Sequence, residues 1–284
     1  MRPILSDTSP DGLRAAIVAD IVASRIGNMD VPLVGRQEPD AAWALPREPS
    51  DVRAVVAWAV FEPATVERRL DEILAAVDAR GATVLWWYSR DQRPEDLRER
   101  VLRRGFERVE DTAAMAMDLA LLPERVAPPD ATRIDLVDDP AAVDAYVGVV
   151  IRAMEIDHWQ VSPDAARIRT DHIRSLLRDD PVGRRFVAFL DGEPVATSRV
   201  SMAGGVAGLY TMVTLPHARR RGIGLAMAHR ALLAGREAGM RIAVLQATDM
   251  GFPIYLRLGF EELFTYEMLA RPAIAPAKGG TDDQ

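Results

Sequence analysis

Apolar residues in the second half of the chain change their spacing in a regular order. Thr132–Leu136 is a short β-prone run, and Val143, Val147, Val150, Ile151 and Met154 then recur at helical spacing across Ala141–Met154. Ser162-Pro163-Asp164 has the residues favoured at a helix start and opens a second helix reaching about Arg178. Phe186–Leu190 and Pro194–Met202 flank Asp191-Gly192, a hairpin signal, and a second turn falls at Gly204-Gly205. The run Gly208–Leu215 is apolar and β-prone until Pro216 ends it. Leu225–Leu233 then has helix-forming composition, with apolar residues three and four apart. A strand at Ile242–Ala247, a helix from Pro253 and a strand at Thr265–Leu269 complete the half. Strands and helices in this order predict a mixed α/β fold, with a largely antiparallel sheet.

The first half contains part of the same order. Leu70–Val77 reads as a helix ending near Gly81, Thr83–Trp87 as a strand, Leu97–Arg104 as a helix, and Ala114–Leu119 as a strand. Leu102-Arg103-Arg104-Gly105-Phe106 matches Leu256-Arg257-Leu258-Gly259-Phe260, each between the last helix and the last strand of its half. An ordered series around a shared string points to duplication. The proline-rich segment Leu122–Asp130 is the expected linker, giving units at 1–126 and 127–271. Residues 272–284 lack apolar periodicity and are expected to form a disordered tail.

Composition narrows the class. Apolar content of 49% and charged content of 27% are those of a globular protein. No apolar run reaches membrane-spanning length, and the first residues do not open a secretory signal, so a cytoplasmic protein without membrane contact is expected. With no cysteine there is no disulfide, thiolate metal site or cysteine nucleophile. None of the four histidines has metal-ligand spacing, and no metal is expected. A net charge of −7 argues against nucleic-acid binding and suits a cationic or amine partner.

The most specific chemistry lies at Arg219-Arg220-Arg221-Gly222-Ile223-Gly224, between the strand at 208–215 and the helix at 225–233. A glycine-containing turn at a helix start leaves N–H groups unpaired beside the positive end of the dipole, a seat for phosphate. The spacing is neither a Walker A loop nor a Rossmann fingerprint. It matches Arg/Gln-x-x-Gly-x-Gly/Ala and resembles the pyrophosphate loop of the GNAT superfamily of N-acyltransferases. Val213–Arg219 resembles that family's lead-in strand, Ile242–Ala247 its next strand, and Pro253–Phe260 its Tyr-x-x-x-Gly-Phe segment. The likeness runs over residues 131–270, in the family's order. The whole chain then resembles a tandem of two GNAT-like domains, each with a mixed, mostly antiparallel twisted sheet. Mycothiol synthase, a member of that family, has such a plan.

The resemblance implies an acetyl-CoA-dependent N-acetyltransferase that transfers directly to a small amine in a ternary complex, as a monomer or homodimer. The alternatives are a protein lysine or N-terminal acetyltransferase and a non-catalytic acyl-CoA sensor. By the same resemblance, Met212, Val213 and Thr214 hold the pantetheine arm. Arg219, Arg220, Arg221, Gly222, Ile223, Gly224, Leu225 and Ala226 take the pyrophosphate, Thr248 lies near the arm, and Tyr255 protonates the departing thiolate. Glu155, with Asp157, His158 and Trp159, sits where the family lines its acceptor side; Glu155 is the candidate base and the others are acceptor contacts. Tyr210 is a further acceptor contact, and Ser198 and Arg199 are weaker candidates. The first half has no counterpart of the arginine–glycine loop and reads as a degenerate domain. There, Trp86-Trp87-Tyr88 either faces the cleft between the halves or is core.

Overall fold

The computed structural model describes residues 5–27, 30, 32–47, 53–156, 164–176 and 182–273. Ser162, Pro163, Arg178 and the segment expected as a tail from 274 onward lie outside the described residues. The first half runs α1 (Pro10–Gly27), β1 (Leu33–Gln37), β2 (Ala41–Pro46), β3 (Ala54–Ala59), α2 (Val66–Asp78), β4 (Val84–Tyr88), α3 (Leu97–Leu102) and β5 (Glu107–Asp118). The second runs β6 (Thr132–Leu136), α4 (Pro140–Ile156), α5 (Ala165–Leu176), β7 (Gly183–Leu190), β8 (Glu193–Ser201), β9 (Ala207–Thr214), α6 (Ile223–Glu237), β10 (Ile242–Ala247), α7 (Phe252–Leu258) and β11 (Glu261–Arg271). The hairpin turn between β7 and β8 has positive φ at both Asp191 and Gly192, the conformation that an Asp-Gly pair favours.

Among the described residues, eleven strands form one open sheet, in the order β1-β2-β3-β4-β11-β5-β10-β9-β8-β7-β6. Only β3 with β4 and β9 with β10 pair in parallel; the other joints are antiparallel. The duplication is visible as an approximate two-fold arrangement about the β11–β5 joint. β3-α2-β4 answers β9-α6-β10, and the last strand of each half lies beside the other half's chain. Thus β11 pairs with β4 and β5, while β5 pairs with β10 and β11. The mixed, mostly antiparallel sheet expected of each half is present, and the exchange joins the two into one, giving each terminal strand a partner on both sides so that neither is left as an exposed edge.

The two faces of the sheet carry separate cores. α6 covers Met115, Met117, Leu209 and Leu245, α2 covers Trp43, Val56 and Trp86 on the same side, and α1 covers Ala114, Ala116, Val244 and Tyr266 on the opposite face. In α1 the buried stripe is Ala16, Ile17, Asp20, Ile21 and Ser24, a helical spacing with a carboxylate at its centre. Trp86 and Trp87 are buried on opposite faces, Trp87 edge-on to Tyr266 at 5.9 Å, so this cluster is core.

Candidate active site

Strands β9 and β10 start together and then part. Their register consists of Ala207 with Ala243 and Gly208 with Val244, although β9 continues to Thr214 and β10 to Ala247. A bulge sharpens the divergence. The β8–β9 register slips between Thr197 and Arg199, and Thr211 sits at φ 49°, a left-handed conformation that is costly for a β-branched residue. The Thr197 hydroxyl donates to the Thr211 carbonyl at 3.0 Å. Beyond the bulge, Val213 and Thr214 pair with β8 alone, and the run Met212, Val213 and Thr214 presents a main-chain edge to the gap.

The gap leads to the start of α6. Gly222 is its N-cap at φ 86°, and the first helical bond there is Ala226 N–H to the Gly222 carbonyl at 3.1 Å. Among the described residues, the N–H groups of Ile223, Gly224 and Leu225 find no main-chain acceptor and face outward at the positive end of a 15-residue helix. Arg220 and Arg221 are exposed beside them, whereas the Arg219 Nε donates to the Thr214 carbonyl at 2.8 Å and ties the loop to β9. A Cβ on Gly224 would lie 3.6 Å from the Thr214 Oγ1 and 3.4 Å from the Ile254 Cδ1, so any longer side chain enters the passage between strand and helix. Gly224→Leu, a substitution that favours the helix, is therefore expected to leave Tm unchanged or raised and to weaken acetyl-CoA binding at least about tenfold, or ~1.4 kcal/mol. Calorimetric titration beside a thermal melt checks it.

On the far side of the gap, Thr248 is exposed, and its carbonyl accepts from Gly251 N–H at 2.9 Å and Phe252 N–H at 3.0 Å, opening the turn into α7. Tyr255 is buried on α7, with its ring edge-on to Phe260 at 5.9 Å, and burial pushes its phenol pKa up. Tyr210 is buried where α1 crosses β9, its hydroxyl bonded to the Asp20 carboxylate. A Cβ on Gly208 would collide with that carboxylate and lie 2.7 Å from the Tyr210 ring, so glycine is what admits Asp20. Ser198 donates to the Met227 carbonyl at 3.3 Å and Arg199 is buried against Asp30 at 3.6 Å; both are committed inside the fold. Glu155 is exposed on the last turn of α4, while Asp157, His158 and Trp159 lie outside the described residues.

Asp30 is the group that sequence reasoning missed. It is buried and accepts from Tyr146 Oη at 2.7 Å, Arg185 Nε at 2.8 Å and Thr211 Oγ1 at 3.1 Å. Burial alone would raise its pKa. The guanidiniums of Arg185 and Arg199, with the hydrogen bonds from Tyr146 and Arg185, outweigh that and hold the carboxyl well below the usual carboxylate range. A residue of the first half thus fixes the bulge that opens the gap in the second. Asp20 carried a legible signal, a lone carboxylate within an apolar helical run; Asp30 carried none.

The equivalent joint in the first half is closed. β3 and β4 pair over Ala54–Val56 and Val84–Trp86. Beyond that, the main chain of Arg93 lies against the end of β3, with Arg93 N–H to the Ala59 carbonyl at 3.3 Å and Phe61 N–H to the Arg93 carbonyl at 3.0 Å. Gln92 fixes this insertion, accepting from Trp86 Nε1 at 2.9 Å and donating to the Trp87 carbonyl at 2.6 Å. A cleft of about 460 Å³ opens under α1 in this half, lined by Arg14, Glu38, Trp58 and Asp91 among others, and includes no residue of β9 or α6. Among the described residues, no group of three or more His, Cys, Asp or Glu side chains is placed to hold a metal, and no helix is long and apolar enough to cross a membrane.

Residues 151–260 match the family model described as the acetyltransferase (GNAT) family. The fold of the chain is that of several solved N-acetyltransferases. A GCN5-related N-acetyltransferase from Kribbella flavida is 24% identical with a TM-score of 0.64, covering 92% of this chain and 95% of its own. One from Sphaerobacter thermophilus is 18% identical at TM-score 0.58, covering 83% and 82%. A tandem GNAT protein from the clavulanic acid biosynthesis pathway is 16% identical at TM-score 0.54, covering 92% and 89%. No curated protein matches the chain by sequence. This match and the shared fold support acyl-CoA-dependent acetyl transfer as the general activity.

Proposed function

We propose that the chain transfers an acetyl group from acetyl-CoA to a small amine by direct attack in a ternary complex. The observation that carries this reading is the parting of β9 from β10 after Gly208 and Val244, which leaves a free strand edge running to a free helix N-terminus. In this reading Met212, Val213 and Thr214 hold the pantetheine arm as an added strand. The N–H groups opening α6, with Arg220 and Arg221, take the pyrophosphate. A main-chain N–H of β9 faces the thioester carbonyl and stabilises its oxyanion.

The amine nitrogen attacks the thioester carbon, forming a C–N bond as the C–S bond breaks. A base takes the amine proton and Tyr255 gives its phenolic proton to the departing sulfur. Burial keeps that phenol protonated until the thiolate forms. Glu155 remains the candidate base and Tyr210 an acceptor contact. The first half serves as a degenerate partner: the Arg93 main chain lies where a second pantetheine arm would pair, and α1 roofs the acceptor side.

The test is thiol release from acetyl-CoA across a panel of small amines and lysine peptides. Turnover on small amines and not on peptides is expected. Turnover on peptides alone would move the reading to a protein acetyltransferase, and tight acetyl-CoA binding without release on any acceptor would leave a sensor.

A further inference from the structure

Three side chains on the face covered by α1, the half-buried Gln246 and the buried Thr112 and Tyr266, have buried polar atoms without a hydrogen-bond partner among the described residues: both amide atoms of Gln246, the Thr112 hydroxyl and the Tyr266 hydroxyl. Thr112 is 2% exposed and Tyr266 is 1% exposed. The three are neighbours by register. Thr112 on β5 is paired with Tyr266 on β11, and Ala114, two residues along β5 on the same face, is paired with Gln246 on β10. They form a polar row across three strands, packed among apolar side chains such as Trp87, Ala114 and Val244, with Asp91 and Arg14 near its Tyr266 end.

The row begins at the gap. Val244 is the last β10 residue paired with β9, and Gln246 is the next residue on that face, as Tyr210 is on β9. Gln246 and Tyr210 therefore flank the point where the strands part, and Thr112 and Tyr266 extend the row away from it. Ala114 and Ala116 beside them are small. Each buried group without a partner costs about 1–3 kcal/mol, and a polar ligand lying along this row would give several of them a partner at once.

We infer that this row is the acceptor subsite and that the acceptor is a small amine carrying several further hydrogen-bonding groups, a hydroxylated amine rather than an alkylamine or a lysine side chain. The inference rests on the acetyl-transfer reading above. A carboxamide and two hydroxyls offer donors and acceptors but no charge, which matches hydroxyl groups on the acceptor. A lysine stem has only methylenes to place there, and leaving the row unpaired would count against it. Two members of the row, Thr112 and Tyr266, come from the exchanged strands, so the subsite exists only because the two halves share one sheet.

The test compares glucosamine with cyclohexylamine, a ring of like size without hydroxyls, and with a lysine peptide, in the full-length chain. Wild type is expected to use glucosamine over cyclohexylamine by at least about tenfold in kcat/KM. Thr112→Val and Gln246→Leu, which remove the orphaned groups at similar volume, are expected to raise KM for glucosamine about tenfold and to bring the ratio of the two amines toward one. Both variants should still melt cooperatively and bind acetyl-CoA as wild type does, since apolar replacements relieve buried polar groups. Tyr266→Phe gives a third reading of the same ratio. Thiol release with a ratio near one in wild type, or one the variants leave unchanged, would overturn this inference while leaving acetyl transfer standing. No thiol release with any acceptor would remove the acetyl-transfer reading and this inference with it.

Discussion

Asp30→Ala is expected to destabilise the chain by roughly 3–5 kcal/mol, the cost of removing one side of a buried ion pair. The substitution strands the guanidiniums of Arg185 and Arg199, which are 2% and 1% exposed as side chains, without the carboxylate between them. It also frees the Tyr146 and Thr211 hydroxyls, so α4, β7, β8 and β9 lose their common anchor together. A fall in Tm on the order of 10 °C follows for a chain of this size. The pH dependence has a definite sign. The folded carboxyl is held below its unfolded value, so its contribution is complete above about pH 4 and is lost progressively as pH falls below that value. The stability gap between wild type and Asp30→Asn should therefore begin to narrow between pH 4 and pH 3 in melts run from pH 7 downward, without closing there. A variant within about 1 kcal/mol of wild type at pH 7 would mean that the cluster does not anchor the bulge.

Tyr255→Phe is expected to lower kcat by about 10²–10⁴-fold while leaving acetyl-CoA affinity close to wild type. Phenylalanine keeps the edge-on packing against Phe260 and the fit against Gly251, whose added Cβ would lie 2.9 Å from the Tyr255 ring. The fold is retained and the proton is removed. The loss should shrink with a donor whose leaving thiol has a lower pKa, because a better leaving group needs less protonation. An undiminished kcat would reduce Tyr255 to a core residue.

Much of the second half was legible because its signals are local. Asp191-Gly192 dictates its turn, Gly222 its helix cap, and apolar spacing the strand-to-helix switch at β9 and α6. Repetition of Leu-Arg-x-Gly-Phe in the first half likewise pointed to the two-fold arrangement of β3-α2-β4 and β9-α6-β10. What stayed hidden depends on pairing at long range. Nothing in the residues of β5 or β11 states that each will lie beside the other half's chain, since both read only as strands. Asp30 looks like any acidic loop residue until Arg185 and Arg199 close on it from strands more than a hundred positions away. The closed joint of the first half is also a tertiary fact: Arg93 is unremarkable in sequence, and only its main chain fills the gap. Gln246, Thr112 and Tyr266 come from three strands and become a row only through the register of the exchanged sheet.

The central claim is that one joint of the duplicated sheet is open to acetyl-CoA and the other is filled by its own chain. Calorimetric titration of acetyl-CoA into the full-length protein tests this most directly. The account predicts one equivalent bound per chain, abolished or sharply weakened by Gly224→Leu. Two equivalents, or one that Gly224→Leu leaves untouched, would contradict it.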